Sequence, residues 1–247
     1  MKKISFTLAV MFFVMMTLAS CSKDEPVIKQ SELLSEKTFG RDGDRLSFEY
    51  DASGKLTGYT FTQGGSEFKA ILTEKNGVIY QNARSFIYIK DGLATKITYW
   101  IQGVSGVLEY SYDFSYNNGY LVEITMKEIN PLSSNLPWPC VYTLEYDRNH
   151  NLISVKQGVH EWKYTYGSKK NKNYYFLDNF PLFFDIAWQM GLLGKCTRNL
   201  PESMEMSIGA CTYNFEYTLD EEGYVTNVKE TEGNLYPASY IYKPINK

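Results

Sequence analysis

Histidine is nearly absent from this chain: His150 and His160 are the only two in 247 residues. Neither has a cysteine or an acid at a metal-ligand spacing such as His-Glu-x-x-His, so no zinc site is expected. A serine nucleophile needs a base, and Gly103-Val104-Ser105-Gly106 misses the spacing of a nucleophile elbow and reads as a turn. No glycine-rich phosphate loop or dinucleotide fingerprint occurs, so no cofactor is expected. Basic residues are also in deficit, 25 Lys and Arg against 28 Asp and Glu. A mildly acidic chain has no basic face with which to neutralise phosphates, which excludes nucleic acid as the expected partner. Long apolar runs are confined to the first twenty residues, and cysteine is scarce at four.

Those first residues have the order of a targeting segment. Lys2 and Lys3 form a positive region, Ile4 to Leu18 an apolar one, and Ala19 and Ser20 a small-residue cleavage site. The apolar run is too short and too sharply ended for a good transmembrane helix. Leu18-Ala19-Ser20-Cys21 resembles the lipobox of bacterial lipoproteins, which implies that Cys21 is the lipid attachment site and that a membrane is reached through that lipid. Ser22, Lys23, Asp24 and Glu25 resemble the surface-export signal of Bacteroidota lipoproteins, which implies the outer face of the cell outer membrane. Residues 1–20 are thus assigned to a signal peptide, 21–38 to an acylated N-terminus and flexible tether, and 39–247 to a single domain. Without Lys2 and Lys3 the mature chain carries 23 basic and 28 acidic residues, a net charge of −5. Three cysteines remain, Cys140, Cys196 and Cys211. They allow either one disulfide, with Cys196 and Cys211 closing a loop, or three inert thiols.

What is abundant is aromatic: 21 Tyr, 14 Phe and 4 Trp. Flat rings pack well on a half-covered pleated surface, so this composition favours strands. Leu46, Phe48 and Tyr50 alternate with Ser47 and Glu49, the mark of a half-buried antiparallel strand. Asp51 to Gly54 then suits a type I turn, in which the Asp accepts from backbone N–H groups ahead of it and the glycine takes positive φ. Leu56 and Tyr59 are three apart rather than two, which predicts a bulge where alternation restarts. Copies of this unit stand at Tyr146-Asp147 with Leu152 and Val155, and at Asp220 with Gly223, Val225 and Val228. Tyr112-Asp113 reads as a further copy whose turn is expanded over Phe114 to Asn118. Asn76-Gly77 and Asp91-Gly92 add two-residue hairpin turns. The pattern predicts an all-β fold, an antiparallel up-and-down meander of about fourteen strands curled into an open or nearly closed barrel.

One stretch breaks the pattern. From Pro181 to Leu193 the chain is apolar in nearly every phase, with Asn179 able to cap and Gly191 or Gly194 able to terminate, so a short buried helix is predicted near 181–193. In a protein of hairpins its natural burial place is the concave face of the curled sheet.

The Tyr-Asp units at Asp51, Asp147 and Asp220 resemble the hairpins of Rhs-type repeats. Together with the lipobox and the segment Gly191 to Pro201, the mature chain resembles a family of Bacteroidota lipoproteins known as a domain of unknown function. His150 departs from the motif by replacing the glycine that follows the turn Asp, and the Asp113 turn departs by its length. The resemblance implies a β-meander on the cell exterior and implies no reaction.

Glycoside hydrolysis needs only two carboxylates across a cleft, but Asp51, Asp113, Asp147 and Asp220 all occupy positions where a turn wants an Asp. Aromatics are the better lead. Trp138, held between Pro137 and Pro139, and Tyr116, in the expanded turn, are the candidate ligand-binding residues; sugar rings bind such planes through their C–H faces. The competing reading, which the sequence favours slightly, has Trp138 folded down as a lid on the barrel rim, and Trp100, Trp162 and Trp188 are assigned to the core. The expected function is a surface-exposed, outer-membrane-anchored, non-enzymatic binding module for a glycan or an envelope protein. The alternatives are a glycan-active hydrolase with paired carboxylates and a carrier holding an apolar ligand inside the curled sheet.

Overall fold

Alternating apolar and polar residues decide which way each strand faces, and the tight turns decide where it ends. The computed structural model describes residues 32–39, 44–81, 85–103, 106–129, 139–172, 182–207, 209, 211–230 and 238–244. The strands are β1 (Glu32–Phe39), β2 (Asp44–Tyr50), β3 (Leu56–Gln63), β4 (Ser66–Lys75), β5 (Val78–Gln81), β6 (Ser85–Lys90), β7 (Leu93–Gly103) and β8 (Gly106–Asn117). They continue as β9 (Tyr120–Glu128), β10 (Cys140–Tyr146), β11 (Leu152–Gln157), β12 (His160–Lys170), β13 (Asn199–Met206), β14 (Cys211–Leu219), β15 (Val225–Glu230) and β16 (Ala238–Pro244). A single described helix, α1 (Leu182–Gln189), lies between β12 and β13. Each strand pairs antiparallel with its sequence neighbours and β16 pairs back onto β1, so the sixteen described strands form a closed barrel. The all-β meander and its one short helix are as the sequence predicts; the strand count is higher, and the ring is closed.

Closure depends on β1, which occupies residues expected to belong to the tether. Its apolar phase is hidden in the sequence for two reasons. A bulge between Leu34 and Glu36 shifts the alternation, and Lys37 points inward opposite Leu46, 5% exposed, with its Nζ 5.4 Å from the centre of the Phe39 ring.

The Tyr-Asp turns behave as one device used three times. Asp51 N–H donates to Lys55 O, Asp147 N–H to Asn151 O and Asp220 N–H to Tyr224 O, at 2.9–3.0 Å. The residue three positions after each Asp has positive φ: Gly54 at 82°, His150 at 64° and Gly223 at 86°. His150 tolerates the conformation while its ring stacks on Tyr120 at 5.0 Å. The three-residue offset read from the sequence is a bulge in each case, and the same bulge recurs in the β6–β7 and β8–β9 hairpins. The residue left out of register is Thr57, Thr95 or Thr226 in three of the five hairpins. Its hydroxyl donates to the opposing carbonyl of Glu49, Tyr88 or Thr218, restoring a partner that the bulge removes.

Asp113 is not a turn residue. It lies inside β8, faces outward and pairs with Lys127 at 2.7 Å; the turn is the two-residue Asn118-Gly119, with φ of 51° and 82°. The supposed expanded turn is strand because Phe114 and Tyr116 continue the inward phase of Tyr112.

Asp51 also carries a testable charge effect. Its carboxylate accepts from the Ser53 hydroxyl at 2.6 Å and from the N–H groups of Ser53 and Lys55 at 2.8 and 3.0 Å, which lowers its pKa. A carboxyl whose pKa is lower in the folded state stabilises above its unfolded value, about 3.9, and that contribution is lost as pH falls through the folded value. Asp51→Asn should therefore flatten the fall in urea midpoint below about pH 4. An acid limb identical to wild type would show that the turn does not depend on the charge.

The Tyr of the motif has its own role. Alternate neighbours have no connecting turn at the end where these turns lie, among them β1 and β2, β7 and β8, β9 and β10, and β11 and β12, and it is these four gaps that tyrosines span. A tyrosine hydroxyl spans each gap: Tyr50 to Leu34 O (2.8 Å), Tyr116 to Ala94 O (2.8 Å), Tyr146 to Leu121 O (3.0 Å) and Tyr166 to Leu152 O (2.5 Å). Burial raises the pKa of all four phenols. Tyr146→Phe keeps the ring and deletes the bond, and should lower stability by about 1–2 kcal/mol, read as a reduced urea midpoint at unchanged slope.

The helix fills the barrel at this same end. Phe184, Ala187 and Trp188 enter one cluster with Ile97 and Tyr112, while Ile186 enters a second with Leu46 and Val228. The return segment is bonded to three successive hairpins. Ala94 N–H donates to Leu192 O, Lys195 N–H to Gly119 O, Arg198 N–H to His150 O, and Asn199 N–H to the Asn151 side chain. The segment Gly191 to Pro201 is therefore the seam that locks the helix to the barrel wall.

Candidate functional site

Direction of facing separates two surfaces. The outer one carries many charged pairs among scattered exposed apolar residues such as Ile71 and Val107. Lys69 reaches Glu49 at 2.6 Å, Lys127 reaches Asp113 at 2.7 Å, Lys156 reaches Glu145 at 2.7 Å and Lys163 reaches Glu161 at 3.4 Å. Such exposed pairs are each worth about 0–1 kcal/mol, so their meaning is solvation rather than strength. An outer groove of about 410 Å³ beside Glu161, Lys163 and Glu205 is lined by these charges together with Met206, Ser207, Cys211 and Thr212. Trp100 also faces outward, contrary to its assignment to the core. It meets Phe86 edge-on at 5.0 Å, and Phe86 meets Tyr80 edge-on at 5.2 Å, so the three rings do not form one flat platform.

The inner surface changes along the barrel axis. Ile79, Ile87 and Ile97 are at most 1% exposed. Nearer the end opposite α1, Tyr99, Tyr110, Tyr142, Trp162 and Tyr213 also face inward but are only partly buried, and Phe68 is 45% exposed. Inward rings reach solvent only where the lumen is unfilled. The interior is thus tightly packed at the helix end and more open to solvent towards the other, where these rings are only partly buried.

A single cross-strand row crosses this open half. Gln81 opposes Ser85, Ser85 opposes Tyr99, Tyr99 opposes Tyr110, and Tyr110 opposes Glu128. Four strand spacings make it about 19 Å long. The rings of Tyr99 and Tyr110 stack at 5.3 Å, and Tyr99 also stacks on Tyr112 at 6.0 Å. One step deeper runs a dry row of Ile79, Ile87, Ile97 and Tyr112. Gln81 and Ser85 are 4% and 8% exposed, yet Gln81 Nε2, Ser85 Oγ and Glu128 Oε2 have no hydrogen-bond partner; Trp162 Nε1, on another part of the wall, is in the same state. Each such group costs about 1–3 kcal/mol. Sequence reasoning passed over Gln81, Ser85 and Glu128. The available signal was a polar residue standing in the apolar phase of its strand, after Ile79, before Ile87 and after Met126.

Of the residues singled out from sequence, Tyr116 is an inward structural residue, its hydroxyl shared between Ala94 O and Leu192 O at 2.8 and 3.2 Å. Trp138 and Cys21 lie outside the described residues. Asp51, Asp147 and Asp220 are committed to their turns and Asp113 to Lys127, so the repeated acids do not converge on a cleft. Cys196 and Cys211 do not form a bridge, because β13 separates the helix-end seam from the start of β14 at the other end.

No family model and no curated protein matches the chain. Solved structures do. A porin-like protein from Bacteroides uniformis ATCC 8492 is similar at a TM-score of 0.59 and 24% identity, over 85% of this chain and 96% of that one. A porin-like protein from Bacteroides vulgatus ATCC 8482 is similar at 0.60 and 15%, over 86% and 99%. The likeness is one of fold. A barrel that spans a bilayer turns an apolar band outward, and a Lys or Arg on that face costs about 2–4 kcal/mol at the midplane. Here the outward positions hold Lys69, Lys127, Lys156 and Lys163 alongside apolar residues such as Ile71, Tyr88 and Val107, so lysines stand among the outward residues.

Proposed function

We propose that this chain is a non-enzymatic binding module, anchored to the outer membrane through lipid on Cys21 and facing the cell exterior, whose barrel stands off the bilayer and receives its ligand in the open half of the lumen. The observation that carries the reading is the pairing of a charged outer wall with an inner wall of partly exposed tyrosines and tryptophan. The outer wall favours water over lipid, and the inner wall has the make-up of a ligand site, mostly aromatic with a few placed polar groups. A glycan or a segment of an envelope protein suits that lining. The hydrolase reading finds no support in the repeated Asp residues, and the carrier reading is weakened by the unpartnered polar groups in the wall.

The anchor and the address are tested together. Cells making the wild-type chain and Cys21→Ser are fed an alkyne fatty acid and treated intact with protease. The wild type should be labelled and digested, and the variant unlabelled. Labelling of Cys21→Ser would overturn the anchor, and full protection of the wild type would overturn the outward orientation.

A further inference from the structure

Four places on this molecule invite a role beyond the one proposed: the outer groove beside Glu161, the outward Tyr80-Phe86-Trp100 rings, the buried Lys37, and the row from Gln81 to Glu128. Glu161 and Lys163 of the groove already pair with each other, the outward rings meet edge to face, and Lys37 is covered by its own barrel. The row is different. It carries polar groups that are shielded from water and unbonded, which folding alone does not reward.

We infer that the row Gln81-Ser85-Tyr99-Tyr110-Glu128 is the subsite that selects the ligand, and that it takes an uncharged or amine-bearing oligosaccharide in preference to an acidic one. This rests on the lumen being the binding site. The row offers a donor in Gln81 Nε2, a donor and acceptor in Ser85 Oγ, and an acceptor in Glu128 Oε2, with stacked tyrosine rings between them. Hydroxyl groups arranged around rings with apolar C–H faces complement that sequence of groups. A fatty chain would leave the polar atoms unbonded, and a uronate would place its carboxylate against Glu128. The length of about 19 Å suits several sugar units in line. Because water does not touch Gln81 Nε2 or Ser85 Oγ, engagement involves a side-chain movement, and Tyr99, directly opposite Ser85, is the residue placed to make it.

The test uses the full mature chain in detergent with four probes: cellohexaose, a chitosan hexamer, a hexagalacturonate and oleate. Titration calorimetry should show binding of the first two, with the acidic hexamer at least about tenfold weaker. Tyr110→Ala and Gln81→Leu should each weaken cellohexaose about tenfold, and Glu128→Gln should narrow the gap to the acidic hexamer. Gln81→Leu has a second readout that a structural role would not produce: with its unbonded amide gone, the unliganded protein should melt higher, not lower. A lower melting temperature for Gln81→Leu would overturn the assignment. So would cellohexaose binding that survives Tyr110→Ala and Gln81→Leu yet is lost on Trp162→Ala; that outcome leaves the lumen as the binding site. Binding of oleate alone or of the acidic hexamer alone refutes the ligand class, and no binding by any probe refutes the lumen reading as well.

Discussion

Phe184→Ala should destabilise the barrel by about 3–5 kcal/mol, the largest loss expected of a single side chain in this protein. Phe184 is fully buried and meets Tyr112 edge-on at 5.2 Å and Phe114 at 5.4 Å, so its ring joins the helix to the inner wall of β8. Truncation leaves a ring-sized void that neither side can close. The wall is held by ladder hydrogen bonds, and the helix is pinned by the seam from Leu192 to Asn199. The loss should appear as a lower urea midpoint with an unchanged slope. Val159→Ala, at an 89% exposed position, should change nothing measurable. A loss for Phe184→Ala below about 1 kcal/mol would mean that the helix is not packed inside the barrel.

The second large effect belongs to a backbone contact. An added Cβ at Gly194 would lie 2.3 Å from Gly119 O and 3.3 Å from the Tyr116 ring, and the residue has a φ of 81°. The neighbouring Lys195 N–H donates to that same Gly119 carbonyl at 2.8 Å. Gly194→Ala thus incurs the left-handed penalty of about 1–2 kcal/mol and strains or breaks a seam hydrogen bond worth about 0.5–1.5 kcal/mol, for a loss of about 1.5–3.5 kcal/mol. Gly64→Ala is the matched control. Gly64 has positive φ, but an added Cβ meets nothing within 4 Å, so only the conformational part applies. Equal losses at the two positions would show that the close approach to Gly119 contributes nothing.

How much of this was legible in advance depends on the range of the forces involved. The turn at Asp51 was readable because its hydrogen bonds close within four residues, and the bulge after it because a three-residue offset shows in the apolar phase of Leu56 and Tyr59. Asp113 was misread because a Tyr-Asp pair inside a strand is locally identical to one at a turn. What distinguishes it is Lys127 on the adjacent strand, a partner 14 residues away. β1 was missed for a similar reason. An inward lysine reads as solvent-facing until pairing with β2 sets it opposite Leu46 on the inner face, with its Nζ over the Phe39 ring.

By itself the sequence determined the strand-and-turn grammar, the interrupting helix and the acidic charge balance, because local backbone hydrogen bonds and apolar periodicity are encoded within a few residues. Only the tertiary structure decided that sixteen strands close into a ring, that the tyrosines of the motif tie neighbouring hairpins together, and that Gln81, Ser85 and Glu128 share one inward row. Those outcomes depend on register, and register is set by contacts between residues far apart in the chain. A lone Gln in a strand looks like any surface position until its partners show that it faces the lumen.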